Sequence, residues 1–191
     1  MRTAYVAKIF VLTLFLTFFI FPLYWMFTMA FKPEEDWASY PPKLIPNPWS
    51  LENFYKGLFV MGGLQGIIDS TIIASTNTLI SLFLGSLAGY SLSRYKLGPN
   101  IAFFILSQRI APSISFALPF FIVFSIVNLL DTHLAVIITH LTFNIPFATW
   151  IMKSFFDGIP RELDENALLD GCTPLHALMR IILPASIPGL I

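Results

Sequence analysis

Four long apolar stretches run along the chain, divided by polar or proline-rich breaks, and from Arg161 onward the sequence turns polar again. The first, 9–31, reads "IFVLTLFLTFFIFPLYWMFTMAF" and carries no charge in 23 residues. At 1.5 Å per residue that is about 35 Å of helix, enough to cross the hydrocarbon core. Arg2 and Lys8 precede it as they would in a secretory signal, but the apolar region of such a signal is only about 7–15 residues long. Tyr24 and Trp25 near the far end suit an interfacial anchor. The pattern therefore predicts a retained transmembrane helix.

Segment 32–65 contains "KPEEDWASYPPKLIPNPWSLENFYKG". Its prolines and mixed charges predict an irregular, solvated loop. Tyr40, Trp49, Phe54 and Tyr55 suggest that it rests on the membrane surface or on a partner. The second apolar stretch, 66–92, is rich in Ser, Thr and Gly, with Asp69 and Ser70 placed to satisfy free N–H groups at its start. Thr71, Ser75, Thr78, Gly85 and Gly89 form a small-residue stripe of the kind that lets helices approach closely in lipid. The third stretch, 101–127, is interrupted by "SQRIAPSIS" and by Pro119. The fourth, 134–156, holds Pro146, which removes a backbone hydrogen bond and predicts a kink.

Basic residues near the ends of the spans set orientation. With the N-terminus inside, Arg2, Lys8, Arg94, Lys96, Lys153, Arg161 and Arg180 are cytoplasmic, against Lys32, Lys43 and Lys56 outside. Composition agrees with lipid as the solvent. Hydrophobic residues make up 56% of the chain and charged ones only 12%, about half the roughly 25% usual in soluble domains. The formal net charge of zero gives a nucleic-acid partner no electrostatic support.

The segment "GIPRELDENALLDGCTPLHALMRIILP" reads as two short helices and a turn. Pro160 suits a first helical position, and Glu162, Asp164 and Glu165 favour the positive helix end. Gly171 suits the left-handed residue that terminates a helix. Thr173 and Pro174 restart one, as cap and first residue. Leu163, Ala167 and Leu168 share an apolar face. That face fits either a groove on another protein or the chain's own spans.

The same residues carry a resemblance. Glu165-Asn166-Ala167, three residues to Gly171, then nine to Ile181, Leu183 and Pro184 resemble the EAA loop of binding-protein-dependent ABC importer permeases. Asn166 departs from the first alanine, and Cys172 stands where alanine commonly follows the glycine. "FKPEEDWASYPPKLIPNPWSLENF" and "LLDTHLAVIITHLTFNIPFATWIMKSFFDGIPRELDE" are similar to the smaller membrane subunit of maltose-type sugar importers. The resemblance implies an all-α integral membrane bundle in a bacterial or archaeal cytoplasmic membrane, importing a sugar, oligosaccharide or polyol. It implies a second homologous permease, two ATPase subunits that carry ATP and magnesium, and an extracytoplasmic solute-binding protein. It also implies that 157–189 docks on an ATPase through Glu165, Asn166, Ala167, Asp170, Gly171, Ile181, Leu183 and Pro184, with Glu165 meeting a basic residue. Family members usually have six spans. Pro188-Gly189-Leu190-Ile191 reads as the start of a fifth, so 1–191 is expected to be incomplete at its C-terminal end.

Enzymatic readings find little support. A G-x-x-x-x-G-K-[ST] phosphate loop is lacking, so ATP hydrolysis belongs to another subunit. His133, His140 and His176 lack H-E-x-x-H spacing, and Cys172 with His176 lies inside the loop motif. A secondary carrier or channel is the alternative, but such proteins tend to bury ionisable groups mid-membrane. Gln108, Arg109, Ser113 and Ser115, with His140, Thr142 and Asn144, are polar where lipid penalises polarity. They are candidates for a translocation path, or for hydrogen bonds between helices.

Overall fold

The computed structural model describes residues 2–95, 97, 99–108 and 110–187. Arg109 and residues 188–191, where the sequence places the start of a fifth span, lie outside them. The described residues contain helices and turns and no strand. In order the helices are α1 (Arg2–Ala30), α2 (Glu52–Tyr55), α3 (Gly63–Arg94), α4 (Pro99–Ser107), α5 (Ala117–Ile126), α6 (His133–Asp157), α7 (Glu162–Leu169), α8 (Pro174–Ala177) and α9 (Leu183–Ala185). Among the described residues, three segments are helical, long and apolar enough to cross a membrane: Tyr5–Ala30, Gly63–Arg94 and His133–Asp157. The chain divides into two compact units, Met1–Ile68 and Asp69–Ile191.

In the first unit α1 exposes apolar side chains around its whole circumference, from Tyr5 to Phe27, as a helix solvated by lipid does. The loop after it is more ordered than its composition predicts. Phe31 packs against Phe27, Trp49 and Phe54. The Asn53 amide donates to the carbonyls of Ala30 at 3.1 Å and Lys32 at 2.7 Å, satisfying acceptors that the end of α1 leaves open. Lys32 is fully buried, with its ammonium 4.2 Å from the centre of the Trp25 ring. Lys43 pairs with Asp36 at 2.6 Å. Lys56 bridges Glu34 and Glu52, whose carboxylates hold its ammonium above its ordinary pKa.

In the second unit α3 and α6 lie side by side and run in the same direction. Asp69 meets His133 at 3.1 Å near their starts. Asn77 donates to Ile137 O at 3.3 Å and accepts from Asn144 at 2.6 Å. Ser93 donates to Asp157 at 2.7 Å at their ends. The buried stripe of α3 is Asn77, Ser81, Gly85, Gly89 and Ser93, one residue per turn. Gly85 and Gly89 belong to it as expected. Thr71, Ser75 and Thr78 are exposed instead, because they sit on other faces than the five that repeat every fourth position. A Cβ on Gly85 would stand 2.5 Å from the Ala148 Cβ, and one on Gly89 would stand 2.8 Å from the Lys153 backbone nitrogen. The two backbones touch there. Asp69 lies beyond the first turn of α3 and faces α6, so it does not cap the helix as expected. Helix α6 runs through Pro146 to Asp157.

Two parallel rods joined in sequence require a return path, and 97–131 supplies it. It is not one helix. Helix α4 ends at Ser107, a 3-10 turn spans Ser113–Phe116, and α5 follows. Pro112, in an extended conformation with ψ 129°, breaks the segment. Pro119 is tolerated because it falls in the first turn of α5, where no partner for its missing N–H is needed. Asn128 (φ 55°) ends α5, with Leu129 N donating to Phe124 O at 2.8 Å. Thr132 then caps α6 by accepting from Ala135 N.

Candidate functional site: the polar hairpin and the clefts

Segment 158–187 forms a hairpin seated under the C-terminal ends of α3 and α6. Pro160 stands just ahead of α7 rather than inside it, and its carbonyl accepts from Leu163 N. Gly171, at φ +87°, ends the helix. Cys172 N donates to Ala167 O at 2.9 Å and Gly171 N to Leu168 O at 3.1 Å, the paired bonds of a Schellman termination. The Thr173 hydroxyl accepts from His176 N, with Pro174 as first residue of α8. Leu178–Ile182 then widens into a π-turn. That turn relieves the clash that Pro184 would otherwise make with the preceding turn.

The hairpin is held from below by apolar packing. Tyr90, Met152, Phe156, Leu178 and Ile182 form a buried cluster, with Ile159, Ile181 and Leu183 packed against it. Beside the cluster lies a buried polar network. Asp164 accepts from the Tyr90 hydroxyl and from Arg94 Nε, both at 2.6 Å. Arg94 also donates through Nη1 to Phe156 O at 2.8 Å and through Nη2 to Ile159 O at 3.2 Å. Arg161 donates to Ser93 O, and Lys153 pairs with Asp157. This network is absent from the sequence expectations. Apart from the local Lys153–Asp157 pair, its partners lie 62 to 74 residues apart, and Asp164 reads locally as a helix N-terminal acid. A weak signal is Arg94 itself, the basic residue in the last turn of α3.

The structure divides the expected docking residues into two sets. Glu165, Asn166, Asp170, Gly171 and Pro184 are exposed. Ala167 is 3% exposed, and Ile181 and Leu183 are half-buried on the cluster. These three fasten the hairpin to its own helices. The apolar plug expected from Leu163, Ala167 and Leu168 is therefore altered at one position: Ala167 points inward, while Leu163 and Leu168 stay exposed and are joined by Leu169 and Leu175. Leu169, beside the turn, is 85% exposed.

The polar candidates on the third and fourth stretches separate as well. Ser113 and His140 line one cleft of about 630 Å³, walled by Phe116, Phe120 and Phe143. His140 and Asn144 line a second of about 440 Å³ with Asn77 and Thr78. Asn144 is engaged across the α3–α6 contact, so its polarity serves helix association there. Thr142 bonds its own helix at Ile138 O, and Gln108 is exposed just beyond α4. Arg109 lies outside the described residues.

Residues 81–191 match the family model described as the binding-protein-dependent transport system inner membrane component. The chain belongs to this family. It is thus a helical inner-membrane component, in keeping with its apolar helices. It is 32% identical over 187 residues to the inner membrane ABC transporter permease protein YcjP of Escherichia coli, covering 94% of this chain and 66% of that protein. It is 33% identical over 184 residues to the trehalose transport system permease protein SugB of Mycobacterium tuberculosis, covering 94% and 65%. The trehalose/maltose transport system permease protein MalG of Thermococcus litoralis is 30% identical over 175 residues, covering 90% and 62%. The chain thus spans just under two thirds of the length of these relatives. The region 81–191 takes in most of the α3 stripe, the cleft walled by Phe116, Phe120 and Phe143, and the whole hairpin, whereas the second cleft draws Asn77 and Thr78 from ahead of it.

Proposed function

We propose that this chain is a permease subunit of an ATP-driven, binding-protein-dependent importer for a sugar, oligosaccharide or polyol. It forms half of the translocation pathway and receives mechanical work at the hairpin. The observation that carries this reading is the hairpin tip: Glu165, Asn166, Leu169 and Asp170 stand exposed around a left-handed Gly171, over a buried and fully bonded base. A base so anchored leaves the tip to dock in a cleft on a separate ATPase, with Glu165 meeting a basic residue. The sugar class is supported by the transport named for SugB and MalG.

The assembly comprises this chain, a second homologous permease, two ATPase subunits holding ATP and magnesium, and an extracytoplasmic solute-binding protein. The N-terminus is cytoplasmic, and 9–31, 66–92, 101–127 and 134–156 cross the membrane. The parallel course of α3 and α6 favours a crossing by 101–127 despite its break. The test is capture: a cysteine replacing Leu169, in the full-length protein with its partners, crosslinks to the nucleotide-hydrolysing subunit. Capture by a cysteine at Tyr40 in the outer loop, with none at 169, would overturn both the docking and the orientation.

A further inference from the structure

We infer that Arg94, acting through Asp164, is a positioning residue that locks the hairpin to α3 so that the two move as one body. This inference rests on the docking read above. Three observations carry it. First, the pair is sequestered, with side-chain exposures of 7% and 9%. Second, one guanidinium joins three elements: it grows from the last turn of α3, binds Asp164 in the first turn of α7, and donates to Phe156 O and Ile159 O where α6 ends. Third, Asp164 is held from two directions, because Tyr90, one turn earlier on α3, donates to its other oxygen. No buried side-chain N or O atom lacks a partner among the described residues.

Apolar packing alone would stabilise this interface as well as a buried ion pair does, and often better. Charged bonds add direction. A planar fork with several fixed donors specifies one orientation of α7 against α3, whereas Leu178 and Ile182 could slide on Tyr90 and Phe156. Displacement of the tip therefore reaches α3, and with it the cleft that α3 lines through Asn77 and Thr78, without being absorbed at the joint. A lysine at position 94 keeps the charge but cannot reach three acceptors at once.

The experiment places nitroxide labels at Tyr95 and Leu169, both exposed, in the full-length protein assembled with its partners, with Cys172 replaced by serine. In the unaltered lock a single distance persists between nucleotide-free and ATP-plus-vanadate states. Arg94→Lys and Asp164→Asn introduce a second, longer distance, since breaking one side of a buried pair raises the detached population on the order of a hundredfold. ATP hydrolysis continues in both variants, which separates a loosened joint from a misfolded subunit. Tyr90→Phe removes one bond only, and gives a smaller second population where either charge variant fails to assemble. One unchanged distance in every variant that assembles would overturn the lock. The capture at position 169 is scored in parallel, unlabelled preparations of the same variants that carry the cysteine at 169 alone. Capture retained with unchanged distances sinks this inference alone, whereas no capture in the unaltered protein sinks the docking read beneath it.

Discussion

Gly171 is constrained by handedness rather than by space. Its φ of +87° lies where side chains are disfavoured, yet a Cβ there would meet nothing within 4 Å. Gly171→Ala should therefore cost roughly 1–2 kcal/mol from backbone strain alone and lower the thermal stability of the purified assembly by a few degrees. Gly171→Asp adds a charge at the tip and should abolish nucleotide-dependent solute uptake by whole cells, while membrane insertion, followed by immunoblot, persists. Glu165 is exposed and only its backbone bonds within the hairpin, its N–H donating to Arg161 O, so Glu165→Ala should leave stability unchanged and still reduce uptake. Equal uptake by Glu165→Ala and the parent would remove Glu165 from the interface. Thr173→Ala should cost about 1 kcal/mol through the lost cap.

At the level of elements, the long apolar helices were legible from hydrophobic length, and the hairpin from Gly171, Thr173 and Pro174. These are local signals, because they concern what a backbone allows within a few residues. The parallel pairing of α3 and α6 was not legible. It depends on Asn77, Ser81 and Ser93, which look like ordinary polar residues until the fourfold spacing is set against Gly85 and Gly89. The buried partnership of Arg94 with Asp164 was hidden for the same reason, and so Ala167, Ile181 and Leu183 were read as docking residues when they fasten the hairpin. The pairing predicts a graded response. Gly89→Leu must push against the backbone of α6 and should prevent stable assembly, measured by co-purification with the partner subunits. Asn144→Leu removes one interhelical bond, worth about 0.6 kcal/mol in a membrane, and should be tolerated.

For the whole molecule, the joint between hairpin and helices lies at one end of the α3–α6 pair, and the Asp69–His133 contact lies at the other. On the proposed docking, work delivered at the tip would be applied along these two rods, and vesicles depleted of nucleotide should accumulate no solute even with binding protein present. Uptake under those conditions would favour a carrier. In the first unit, the buried ammonium of Lys32 gives segment 32–65 a chemical signature. An amine-acylating reagent that cannot cross the membrane should modify Lys43 readily and Lys56 at more alkaline pH, where its carboxylate neighbours finally release the proton. Lys32, shut beneath the Trp25 indole, should stay unmodified until that ring is removed, so the pattern of acylation reports whether segment 32–65 is closed over α1.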